Sequence, residues 1–244
     1  VYTPSPADAR TIASARVVIV NGLGLEGWLP RLIGSSGRKG GALTVVATKG
    51  IKPIAVSDDD HGHHHDHDVD ADPHAWQSVA NAKIYVTNIR DGLIAADPAG
   101  ADTYRANTEA YLAKLDVLDG EVRAAVATIP PGRRKVISSH SAFGYFAAAY
   151  GVAFIAPQGV STDTEPSARD VAAIITQIKK QKIPAIFLEN ISDPRLMRRI
   201  AAETGAKVGE TLYSDSLTEE NGAAPTYIAM VRHNIKALTS ALSS

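Results

Sequence analysis

No cysteine occurs anywhere in the 244 residues. Thiolate metal sites and disulfide frameworks are therefore excluded, and any metal site has to be built from His, Asp and Glu. No apolar stretch approaches the ~18 residues needed to span a bilayer, and no charged segment followed by an apolar one opens the chain. A strong charge of one sign is missing as well: 25 Lys and Arg face 26 Asp and Glu, a formal net charge of −1. That balance hides an asymmetry. Residues 58–74 hold seven of the acidic residues and no Lys or Arg, which leaves 25 basic against 19 acidic, or +6, in the remainder. The surplus is not gathered into a stripe with interleaved aromatics, and this argues against nucleic acid as a partner.

What is present stands out in the same segment. Asp58 to His74 reads DDDHGHHHDHDVDADPH, seven aspartates and six histidines in seventeen residues. Imidazole suits borderline ions such as zinc and carboxylate suits harder ones, so the run is a dense offer of transition-metal ligands. A tag is excluded by its internal position and by the interruptions at Gly62 and the aspartates. A solvated acidic loop is the plain alternative.

The rest of the chain alternates short apolar runs with helical patterns, the signature of an α/β fold with mostly parallel sheets. The length allows two lobes. In the first, the pattern predicts helix at Ser5–Ala15, strand at Val17–Val20, helix at Glu26–Ile33, strand at Leu43–Ala47 and helix at Ala75–Ile94, where Ile84-Tyr85-Val86 also reads as strand. A long helix is predicted from Ala101 to Thr128, with Tyr104, Tyr111, Leu112, Leu115, Leu118, Val122 and Val126 at helical spacing. Pro130-Pro131-Gly132 ends it. The second lobe is predicted as strand Lys135–Ser138, helix Phe143–Tyr150, strand Val152–Ala156, helix Ser167–Gln181, strand Ile183–Leu188, helix Arg195–Thr204, strand Ala206–Thr211 and helix Thr226–Leu242. The expected organisation is an N-terminal lobe at 1–99, a linking helix at 100–129 and a C-terminal lobe at 130–244, each lobe carrying a mostly parallel sheet flanked by helices.

Ligands of open α/β sheets sit outside the carboxyl ends of the strands. Three positions there offer metal ligands. His74 lies in Asp72-Pro73-His74-Ala75-Trp76, just before a helix. His140 follows the strand at Lys135, and Asp215 follows Leu212-Tyr213. Singly each has an ordinary explanation as core histidine, cap or loop residue; jointly they point to a site. His233, on the last helix, reads as structural.

Over essentially its whole length the chain resembles the cluster A-I substrate-binding proteins of ABC transporters, the zinc and manganese uptake receptors. The matching pieces are Tyr2-Thr3-Pro4-Ser5-Pro6-Ala7-Asp8, Asn21-Gly22-Leu23-Gly24-Leu25-Glu26-Gly27-Trp28, Asp72-Pro73-His74-Ala75-Trp76, His140-Ser141-Ala142-Phe143-Gly144-Tyr145-Phe146, Glu165-Pro166-Ser167 and Leu212-Tyr213-Ser214-Asp215-Ser216-Leu217. The resemblance implies two lobes tied by one long interlobe helix, a metal ion held between them, and delivery to a membrane permease. It implies His74, His140 and Asp215 as ligands. It also implies a periplasmic or lipid-anchored extracellular location and a monomer, with a metallochaperone as a further candidate partner.

Manganese members of that family resemble Ser-Glu-Gly-x-Phe-x-Tyr-Phe at the second motif, whereas this chain has His140. Imidazole in place of carboxylate favours zinc, and the histidine-rich run points the same way, although copper and nickel would bind in a test tube. A transport site for zinc wants four protein ligands. The family's first ligand is a histidine just upstream of the Tyr-x-Pro-x-Pro-x-Asp segment, so a fourth histidine is expected before Val1, with a first strand and a secretion signal. The expected mechanism is capture of Zn2+ by His61, His63, His64, His65 and His67, or buffering by them, followed by transfer to the tight site. Binding should weaken on acidification through the imidazole range, ~6.5.

Three rival readings are a manganese or other divalent-metal receptor, a zinc hydrolase and a surface adhesin. The hydrolase needs a general base near the metal. No His-Glu-x-x-His helix is present, and Glu189, at the end of the Ile186-Phe187-Leu188 strand, is the one candidate. A receptor, not an enzyme, is the preferred reading.

Overall fold

The computed structural model describes residues 3–35, 43–56, 71–162 and 166–243. His61, His63, His64, His65, His67 and Glu165, together with the expectations attached to them, lie outside the described residues. The chain divides into two compact units, Val1–Leu115 and Asp116–Ser244.

In the N-terminal unit, α1 (Pro6–Ser14) starts where the Asp8 carboxylate accepts the Ser5 N–H at 2.7 Å. This is one half of a capping box. Strand β1 (Val17–Val20), helix α2 (Leu29–Ser35) and strand β2 (Leu43–Val46) follow, and β1 pairs in parallel with β2, Val17 opposite Leu43 through Val20 opposite Val46. The predicted helix start at Glu26 is corrected to Leu29. Residues 23–28 are turns, with positive φ at Gly22, Leu23 and Gly24, and the Glu26 side chain is turned back to accept the N–H groups of Asn21 (2.6 Å) and Gly22 (3.2 Å). Gly22 is required there twice over. Its φ is +86°, and a Cβ would lie 2.6 Å from Val46 Cγ1.

Helix α3 (Val79–Ala96) contains Ile84-Tyr85-Val86, so the strand alternative is overturned: the helical period outlasts three consecutive strand-favouring residues. A 3₁₀ turn, Ala75–Gln77, precedes it. Gly92 lets α3 approach the sheet closely, since a Cβ there would sit 2.2 Å from Val45 Cγ2. Helix α4 (Ala101–Ala127) is the long helix that the periodicity predicts, and the division between the units falls inside it. Leu115, Leu118, Val122 and Val126 on its apolar stripe are buried.

The C-terminal unit is a four-stranded parallel sheet. Its elements are β3 (Lys135–Ile137), α5 (Gly144–Tyr150), β4 (Ala153–Ile155), α6 (Ala168–Gln181), β5 (Ala185–Ile186), α7 (Pro194–Thr204), β6 (Lys207–Val208) and α8 (Tyr227–Leu242), with strand order β4-β3-β5-β6. Helix ends follow local chemistry. Ser167 accepts the Asp170 N–H at α6, Asp193 accepts the Arg195 N–H before Pro194 at α7, and Gly205 closes α7 in the left-handed region. Ile174 and Ile178 of α6 pack with Met197 and Ile200 of α7 on Ile137 and Ile186 of the sheet. The last two strands are shorter than the apolar runs predicted. Isolated parallel bridges continue the pairing, Glu189 with Leu212 beyond β5 and β6 and His140 with Gln158 beyond β3 and β4.

The strand order places a topological switch at β3 and β5: from β3 the chain goes to β4 on one side and then returns to β5 on the other. That is where an open parallel sheet leaves a crevice outside its carboxyl ends.

Candidate metal centre

In the N-terminal unit His74 is 1% exposed. Its Nδ1 lies 2.7 Å from Asp72 Oδ1, and the same oxygen accepts the His74 N–H at 2.9 Å. A carboxylate on Nδ1 fixes the tautomer with the proton there, so that Nε2 is the ring atom able to hold a metal, an arrangement common in metal-binding histidines. Pro73 sets φ just before the histidine, and Trp76 meets the imidazole edge to face at 5.3 Å.

The C-terminal unit contributes the strand-end pair at the switch. His140 comes three residues after β3 and Glu189 three residues after β5. Both side chains have no exposed surface, and His140 Nδ1 lies 2.8 Å from Glu189 Oε2. Glu189 Oε1 accepts the N–H groups of Ser139 (2.7 Å) and His140 (3.1 Å). One carboxylate thus holds both the ring and the backbone that carries it. On the other side, His140 Nε2 is 3.3 Å from Asp215 Oδ2. Two ligands each ~2.0–2.1 Å from a tetrahedral ion are about 3.3–3.4 Å apart, so these two atoms already stand at the edge length of a zinc coordination tetrahedron.

Asp215 is placed by its neighbours. The Tyr213 N–H donates to Asn234 Oδ1 at 2.9 Å, and Asn234 Nδ2 donates back to the Tyr213 carbonyl at 2.7 Å, so an α8 side chain mimics a strand on the loop that carries the aspartate. Burial disfavours the His140 imidazolium, yet Asp215 and Glu189 outweigh it and raise the His140 pKa to about 10. Between its two carboxylates the ring holds a proton where a cation would sit.

His140 and Asp215 are therefore brought together, and His74 is prepared in the same chemical style within its own unit. His233 is structural, as read: its Nε2 is 2.8 Å from the Thr211 carbonyl and its ring meets Tyr213 edge to face. Glu189 is corrected. A base acting on water needs a free oxygen facing solvent, and both of its oxygens are occupied in the interior. Its ring-holding role, and that of Asp72, were not read from the sequence. The available signal was a carboxylate three residues beyond a strand at the switch point, and another two residues before a candidate ligand.

Known proteins resemble this chain over nearly its whole length. Residues 1–241 match the ZnuA family model, "Zinc-uptake complex component A periplasmic". The manganese-binding lipoprotein MntA of Halalkalibacterium halodurans is 34% identical, over 99% of this chain and 77% of its own length. The iron-binding protein YfeA of Yersinia pestis is 33% identical, over 96% of this chain and 72% of its own length. Among solved structures, the periplasmic zinc-binding protein TroA of Treponema pallidum superimposes with a TM-score of 0.89 at 28% identity, over 100% of this chain and 86% of that one. No helix among the described residues is long and apolar enough to cross a membrane. With two parallel sheets flanked by helices, a long helix and buried histidines held by carboxylates, the chain belongs to the ZnuA family of periplasmic or lipid-anchored metal receptors of ABC transporters, which are binding proteins and not enzymes.

Proposed function

We propose that the cargo of this receptor is Zn2+ and that His74, His140 and Asp215 are its protein ligands. The observation that carries the reading is the His140–Asp215 pair, two prospective ligand atoms 3.3 Å apart with the other ring nitrogen held by Glu189. Two imidazoles against one carboxylate favour zinc over the harder manganese ion. Each imidazole offers Nε2 because Asp72 and Glu189 occupy Nδ1. Delivery to the membrane permease then requires loss of these contacts. His61, His63, His64, His65 and His67 raise the local zinc concentration as weak accessory sites.

Manganese is the second reading. Relatives named for manganese and iron favour it, because the same scaffold carries those proteins' binding. A chelator-competition titration of the full-length protein with Zn2+ and Mn2+ separates the two. Tight zinc binding, at least a hundredfold tighter than manganese and abolished by His140→Ala, is expected. Equal or tighter manganese binding would replace zinc as the cargo.

A further inference from the structure

Two kinds of contact hold the segment that carries His74. Bonds from Asp72 Oδ1 to the His74 backbone and ring are local; they shape the segment without placing it on the sheet. Placement comes from contacts distant in sequence. The Asp72 N–H donates to the Ile54 carbonyl at 2.8 Å, and Ala71 bridges Ala55. The Pro73 carbonyl, one peptide from His74, accepts from Asn21 Nδ2 at 3.0 Å. Pro73 has no N–H to offer in return, so the Asn21 amide is the side-chain tie between this peptide and the end of β1.

Asn21 is itself held on every polar atom. Its N–H donates to Glu26 Oε1, its carbonyl accepts from the Thr48 hydroxyl at 2.6 Å and the Thr48 N–H at 3.1 Å, and its Nδ2 also reaches the Gly22 carbonyl at 2.9 Å. The remaining atom, Oδ1, accepts from the Tyr85 hydroxyl of α3 at 2.5 Å. A carboxamide turned by 180° would present oxygen to the Pro73 carbonyl and lose the tie. The Pro73 and Gly22 carbonyls, which only accept, require Nδ2 on their side, and the Tyr85 hydroxyl donates to the Oδ1 thereby turned toward α3, so the carboxamide is pinned at both ends.

We infer that Tyr85, acting through Asn21 and the Pro73 carbonyl, is a positioning residue that sets His74 for metal binding; the inference rests on His74 being a ligand, as proposed above. Sequence separations of 64 and 52 residues along this relay mean that no local element could supply the same constraint. Residues that orient metal ligands from outside the coordination sphere typically change affinity by ~10–100-fold when altered.

The test compares Tyr85→Phe with Tyr104→Phe in the full-length protein. Tyr104 donates to Asp97 Oδ2 at 2.8 Å in the same unit, so both variants lose one tyrosine hydroxyl bond. His74→Ala serves as benchmark. Zn2+ affinity is measured by chelator competition, metal-free thermal unfolding is followed in parallel, and the His74 imidazole nitrogens are observed by NMR. Tyr85→Phe should weaken Zn2+ binding about tenfold and broaden or shift the His74 ring signals. Tyr104→Phe should lose comparable thermal stability with affinity unchanged. Equal affinities in the two variants, with binding lost in His74→Ala, would overturn the relay and leave the metal reading intact. Normal binding by His74→Ala would instead remove His74 from the ligand set, and the relay with it.

Discussion

Glu189 grips His140 twice, taking the backbone N–H on one carboxylate oxygen at 3.1 Å and facing Nδ1 with the other at 2.8 Å. Glu189→Gln keeps the shape and one carbonyl acceptor but offers an amide NH2 where a proton acceptor is needed. The ring must then turn or change tautomer. Zn2+ affinity should fall by ~10–100-fold, read by chelator competition, while circular dichroism shows the fold retained. An unchanged affinity would remove Glu189 from the site.

The same pair gives a pH dependence with a definite sign. The His140 pKa is raised to about 10 in the folded, metal-free protein, against ~6.5 when unfolded. The folded state therefore binds the extra proton between those values. Its contribution to stability is complete below ~6.5 and declines as the pH rises toward about 10. Urea unfolding with a chelator present, from pH 6 to 10, should show this fall, and Asp215→Asn should flatten it by removing one of the two carboxylates responsible.

Close packing of α3 on β2 is testable by adding one methyl group. Alanine favours helix over glycine by about 1 kcal/mol, yet a Cβ at Gly92 would meet Val45 Cγ2 at 2.2 Å. Gly92→Ala should destabilise the protein by ~1–3 kcal/mol through overpacking. In a Val45→Ala background the cost should shrink or change sign. A stabilising single substitution would show that the sheet yields easily.

Removal of residues 58–68 separates accessory from tight binding. Zinc titration should retain one tight site and lose the weaker ones. Loss of the tight site as well would make the histidine-rich run, not the strand-end residues, the principal receptor.

Much of this architecture was legible from period and punctuation. The 27 residues of α4 carry an apolar stripe too regular to mistake, and Pro130-Pro131-Gly132 marks its end. Strand β1 matches its apolar run at Val17–Val20, whereas the strands of the C-terminal unit are shorter than theirs, with isolated bridges at His140 and Glu189 extending the pairing. Helix α2 began later than its pattern because Glu26, a good helix former, is drawn back onto the Asn21 and Gly22 amides. The pair His140 and Asp215 was legible by motif. Glu189's role was not, nor was Tyr85's, because each acts through polar contacts across a long gap in sequence, and such contacts leave no period to read.

Glu26 and Glu189 do the same work at the ends of two different sheets, each accepting two consecutive main-chain N–H groups just past the first strand of its unit. Main-chain N–H groups belong to every residue except proline. The loop at 139–140 is thus anchored without regard to which side chain position 140 carries, and under the proposed function one substitution there would exchange the ligand while the scaffold stays in place. Only the second oxygen of Glu189 has to be rematched to the newcomer. On that reading metal preference would be an evolvable property of a single position, separable from the stability of the fold.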